Sequence, residues 1–201
     1  MSWADCFEQA PDDVTVAEIR EALAAHREAS DAGEDSNDET GAASDPPEPS
    51  PTRIVADADV LAADCCLDGE ARAALDLLRQ HSWTTLVASD RLLAEAEAII
   101  ESVGDESLAA DWRDCIEVWR EPVDQPAGDH PALASAYRGG AMHLLAFGDE
   151  LTGSAAGAAL HNRFPVSVRQ PDAFTLLFDP ESLYEADLSG EYSGPDRDPR
   201  A

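Results

Sequence analysis

From Arg53 onward, short apolar runs alternate with segments of helical periodicity, and this alternation restricts the fold more than any other feature of the chain. Strands and helices alternating in series form βαβ units, which build a parallel sheet covered by helices. The sequence therefore predicts an α/β domain, a three-layer α/β/α sandwich around a central, mostly parallel sheet. RIVADADVL (53–61) reads as the first strand, its apolar start ending in Asp57 and Asp59, which project to the same side. WTTLVAS (83–89), MHLLAF (142–147) and VSVR (166–169) are the later strands. The continuous apolar run of MHLLAF suits a sheet covered on both faces.

Helical stripes fill the intervals. Ala71, Ala74, Leu75 and Leu78 form one. Ser89 is placed to cap the next helix, whose buried face is Leu92, Leu93, Ala96, Ile99 and Ile100, with Gly104 as its stop. Leu108, Trp112, Cys115 and Ile116 mark another. Pro131 opens a helix that ends near Gly139 and Gly140. A small-residue helix is read over 155–160, and Pro171 opens a last one carrying Phe174, Leu177 and Phe178.

The N-terminal third differs. Thr15 and Glu18 have the spacing of a capping box, and Val16, Ile19 and Leu23 lie on one stripe of the helix that follows. Residues 31–50 hold seven acids, three prolines and no basic residue, a composition that cannot bury a core. The expected organisation is a short amphipathic helix appendage over 1–30, a disordered acidic linker over 31–52, the α/β domain over 53–186 and a flexible tail over 187–201. The helical stripe has two readings, docking on the body of the protein or binding a partner. In either case, removal of residues 1–50 is expected to leave folding intact.

The chain carries 42 acidic and 13 basic residues, for a formal net charge of −29, and every basic residue is Arg. Such a balance resembles that of proteins from salt-in halophilic archaea, in whose cytosol the Debye length falls to about 3 Å. Net charge then does not exclude a nucleic-acid partner. The four cysteines show neither a C-x-x-C pair nor a disulfide framework, so they read as buried free thiols. No basic, apolar leader and no membrane-length apolar run is present, so a cytoplasmic protein without a membrane partner is expected.

Several acids fall where an open sheet gathers its ligands, outside the carboxyl ends of its strands. These are Asp57, Glu95, Asp129 and Asp149. Each also has an ordinary role open to it. Asp129 is a natural N-cap, Asp149 a surface acid at a strand end, and periodicity does not choose between Glu95 and Glu97 on the two flanks of their helix.

Taken in order, the motifs resemble the PIN-domain family over 53–186. RIVADADVL is similar to its opening strand, SDRLLAE (89–95) to its Ser-capped helix with an acid six residues on, and DHPALASAYRGGA (129–141) to its third acidic segment. PDAFTLLF (171–178) is similar to its closing helix. Where that family usually has Thr-x-Asp, this chain has Ala146, Phe147 and Gly148, with Asp149 one residue later. The resemblance implies a metal-dependent ribonuclease in which Asp57, Glu95, Asp129 and Asp149 hold Mg²⁺ or Mn²⁺ and a metal-activated water cleaves RNA. It also implies RNA as substrate, with a protein partner such as an antitoxin, or a homodimer, as further possibilities. The displaced Asp149 favours an alternative, a catalytically degenerate RNA- or protein-binding regulatory module.

Overall fold

The structure, a computed structural model, describes residues 1–31, 45–125, 130–152, 165–188 and 190–201; the side chains of Asp31, Asp149 and Glu150 are outside that description. Five parallel strands form one sheet in the order β3-β2-β1-β4-β5. They are β1 (Ser50–Ala56), β2 (Thr85–Ala88), β3 (Arg120–Pro122), β4 (Ala141–Leu145) and β5 (Ser167–Arg169). β1 is the centre of the sheet, with Ile54 opposite Leu86 of β2 on one side and His143 of β4 on the other. Ile54, Val55 and Ala56 are fully buried. The chain steps outward through β2 to β3, then returns to the far side of β1 for β4 and β5. Winding therefore reverses between β1 and β4, the position at which open sheets of this kind place a ligand crevice, at the carboxyl ends of the strands.

The helices are α1 (Trp3–Glu8), α2 (Val16–Asp31), α3 (Ala58–Cys66), α4 (Glu70–Arg79), α5 (Asp90–Val103), α6 (Glu106–Trp119), α7 (Pro131–Arg138), α8 (Asp149–Thr152), α9 (Pro171–Leu177) and α10 (Pro180–Leu188). Together with the sheet they form the expected three-layer α/β/α sandwich, and all five strands are parallel. The Ser89 cap, the Gly104 stop and Pro131 and Pro171 in the first turns of α7 and α9 are where the local sequence puts them. Gly140 has φ +62°, and a Cβ there would lie 2.9 Å from the Glu48 carbonyl oxygen.

Two local readings are corrected. The first strand ends at Ala56 rather than continuing through Asp59, because Asp57 caps a helix by accepting the Ala58 N–H at 2.8 Å. That helix, α3, is buried along its whole length, so it lacks the polar face that would have revealed its period. β3 was not expected; it is a three-residue edge strand with no buried residue, and hence no apolar signature.

The first thirty residues are packed into the core rather than tethered to it. The Thr15–Glu18 capping box forms, and the α2 stripe lies on α3 and α5 with Ile19 fully buried and Leu23 6% exposed. α1, which carried no helical stripe in the sequence, buries Trp3 and Cys6 against α6 and α3. Trp3 lies under the Arg79 guanidinium, which is itself paired with the buried Asp64. Residues 32–44 of the acidic linker and the helix read over 155–160 lie outside the described residues. The end of the chain is also anchored. Ser82 N donates to Asp196 Oδ1 at 2.7 Å, Tyr192 meets His81 Nε2 at 2.6 Å, and Ala4 N donates to the Arg200 carbonyl at 3.1 Å. Composition had suggested a loose tail because polar residues offer no apolar signal for such contacts. All four cysteines are free and buried, and among the described residues no helix is long and apolar enough to cross a membrane.

Candidate functional site

Two of the four acids singled out from the sequence come together. Asp57 directly follows β1, the central strand, and Glu95 lies in α5, which follows the neighbouring β2. Because α3 and α5 pack together, the start of one helix is brought beside the flank of the other. Asp57 is 3% exposed and Glu95 5%. The same burial separates Glu95 from Glu97, whose carboxylate lies toward α6 and pairs with Arg113 at 3.4 Å.

The two acids share one cation. Arg27, in the last turns of α2, donates from Nη2 to Asp57 Oδ1 at 2.9 Å and to Glu95 Oε2 at 2.9 Å, and from Nε to Glu95 Oε2 at 3.0 Å. Burial works against the Arg27 charge, but the two carboxylates outweigh it and raise the pKa of the guanidinium. Sequence reasoning missed this residue, although a signal was available. The stripe Val16, Ile19, Leu23 advances by three or four residues per turn, and its next position is Arg27.

Asp59 completes the inner wall. It lies in the first turn of α3, 2% exposed, and its Oδ2 accepts the backbone N–H of Phe147, just past β4, at 3.3 Å. The contact ties the β1 end to the β4 end across the winding reversal. Oδ1 is buried with no hydrogen-bond partner among the described residues. Burial, and next the Asp57 charge, push the Asp59 carboxyl up to about 7.

The other two acids do not enter this geometry. Asp129 lies outside the described residues; Asp149 opens α8 two residues after Phe147, but its side chain is not described. Among the described residues no group of three His, Cys, Asp or Glu side chains is arranged to hold a metal ion. Arg72 is buried and gives its donors to the Asp64 and Cys65 carbonyl oxygens. Arg169 faces His143, with Nη1 3.4 Å from Nδ1.

Fold and site together define an open, doubly wound α/β protein with buried carboxylates at the switch point of its sheet, where such proteins bind ligands. The chain belongs to the family described as "Family of unknown function (DUF7384)", whose model matches residues 48–200. No curated protein and no solved structure matches it. The match corrects the PIN-domain assignment. The motifs behind that resemblance are short and arise from general requirements of parallel α/β folds: an Asp capping the helix after a strand, a Ser cap, a proline-opened helix before a buried strand. Arg27 and the helix that carries it precede the matched region.

Proposed function

We propose that the protein is a metal-dependent ribonuclease in which Asp57 and Glu95 hold Mg²⁺ or Mn²⁺. The supporting observation is the convergence of these two buried carboxylates on a single cationic partner beside the carboxyl end of the central strand. Oxygen donors suit these hard cations, and Mg²⁺ commonly takes one or two carboxylates while keeping several waters. The buried Oδ1 of Asp59, which has no hydrogen-bond partner among the described residues, adds a further oxygen donor on the wall of the site. When bound, the ion would stabilise charge on a phosphodiester and lower the pKa of a water. Asp57 and Glu95 would orient it, and Asp59 would keep the ends of β1 and β4 together. Asp129 and Asp149 are candidates to complete the ligand set.

A second reading is favoured by Arg27 itself, which already neutralises part of the acid pair. In that case the protein is a non-catalytic module that binds RNA or another protein. One assay separates the two readings. Single-stranded RNA is incubated with the full chain in molar KCl with Mg²⁺, with Mn²⁺ or with EDTA. The ribonuclease reading expects cleavage with metal only, abolished in Asp57→Asn with an unchanged circular dichroism spectrum. RNA that is bound but left intact under both metals assigns the protein to the second reading.

A further inference from the structure

Arg27 holds one oxygen of each acid of the pair. The guanidinium contacts Asp57 Oδ1 and Glu95 Oε2, so a divalent ion that takes these two oxygens displaces it. It comes from a helix outside the matched family region, held by the narrow stripe of Ile19 and Leu23. The Arg27 side chain is 25% exposed, against 4% and 6% for the two acids beneath it. It thus covers the acids on the side that faces solvent.

We infer that Arg27 is a built-in competitor for the metal site, an internal cation that must withdraw before a divalent ion can bridge the acid pair through Asp57 Oδ1 and Glu95 Oε2. The inference rests on the metal-site reading of Asp57 and Glu95. A free site would hold two buried, mutually repelling carboxylates, so an internal cation keeps the metal-free protein folded. The same cation lowers metal affinity, because part of the binding free energy goes into breaking its three hydrogen bonds. By linkage, metal binding loosens the hold of the site on the end of α2 to the same degree. Ligands that capture the released Arg27 or α2 would therefore raise metal affinity. The N-terminal helices thus act as a regulatory element as well as part of the core.

Mn²⁺ alone serves as the probe, titrated into the full chain in molar KCl and followed by electron paramagnetic resonance of the free ion. Arg27→Gln removes the charge and is expected to tighten Mn²⁺ binding by about 5- to 150-fold, the range of typical coupling between sites. Asp57→Asn should abolish binding. Equal or weaker binding in Arg27→Gln, with Asp57→Asn still abolishing it, overturns the competitor role and leaves the metal site standing. No Mn²⁺ binding by wild type or by Arg27→Gln overturns the metal site and the inference with it. If Arg27→Gln does not fold, Arg27→Lys keeps the charge but loses the two-pronged contact. Tighter Mn²⁺ binding in the lysine variant supports the inference, and unchanged affinity overturns it.

Discussion

Ile19→Ala tests whether the N-terminal helices belong to the fold. Ile19 is fully buried on the face of α2 that packs against α3 and α5, and the substitution removes three carbons from that contact. At about 0.8 kcal/mol for each buried methylene, the transfer term alone is about 2.4 kcal/mol. The cavity left behind brings the loss into the range of about 2–5 kcal/mol measured for such truncations. In a domain of this size each kcal/mol moves the melting temperature by about 2–4 °C, so a loss near 3 kcal/mol should lower it by about 6–12 °C. The assay is thermal unfolding in molar KCl, followed by circular dichroism and repeated with denaturant. Glu21→Ala, on the exposed face of the same helix, is the control and should stay within about 0.5 kcal/mol of wild type. An Ile19→Ala protein that melts with the control would refute the reasoning and make α2 the detachable appendage that composition suggested.

Two further outcomes are expected. Arg79→Met should cost about 3–5 kcal/mol, because it leaves Asp64, 1% exposed, without its cation and removes the group stacked over Trp3; adding Asp64→Asn in the same chain should recover much of the loss. Full cost in the double variant would show that the stacking, not the ion pair, carries the effect. His143 should titrate near 4, since burial and then the Arg169 charge push its imidazole down from 6.5. Its neutral form is the one that fits the fold, so its contribution is complete above 6.5 and is lost as pH falls toward 4. An imidazole midpoint above about 6 in an NMR titration would contradict this, as would an unchanged acid-side stability profile in His143→Gln.

Much of the architecture was legible because it rests on local periodicity. Apolar runs of strand length, helical stripes and their caps are set by neighbours in sequence, and the Ser89 cap, the Gly104 stop and the prolines of α7 and α9 follow from them. Where an element has no contrast between faces, that reasoning loses its signal. α3 is apolar and small almost throughout, so its start merged with β1, and β3 is too short and polar to register. The motifs that suggested a PIN domain were real features of the chain, but they reflect the needs of parallel sheets in general, and the family match lies elsewhere.

The sequence by itself determined the α/β class, the position of Asp57 at the end of a buried strand and the free, buried cysteines, since each depends on local pattern and the cost of burial. Only the tertiary structure decided the rest of the site. Glu95 rather than Glu97 faces Asp57 because α2 and α3 cover one flank of α5, while Arg113 of α6 takes the acid on the other. Arg27 reaches both acids from 30 and 68 residues away, and no spacing rule spans such separations. Periodicity puts Arg27 on the buried stripe of its helix. Which groups meet it there depends on how the helix docks, a property of the packed core as a whole.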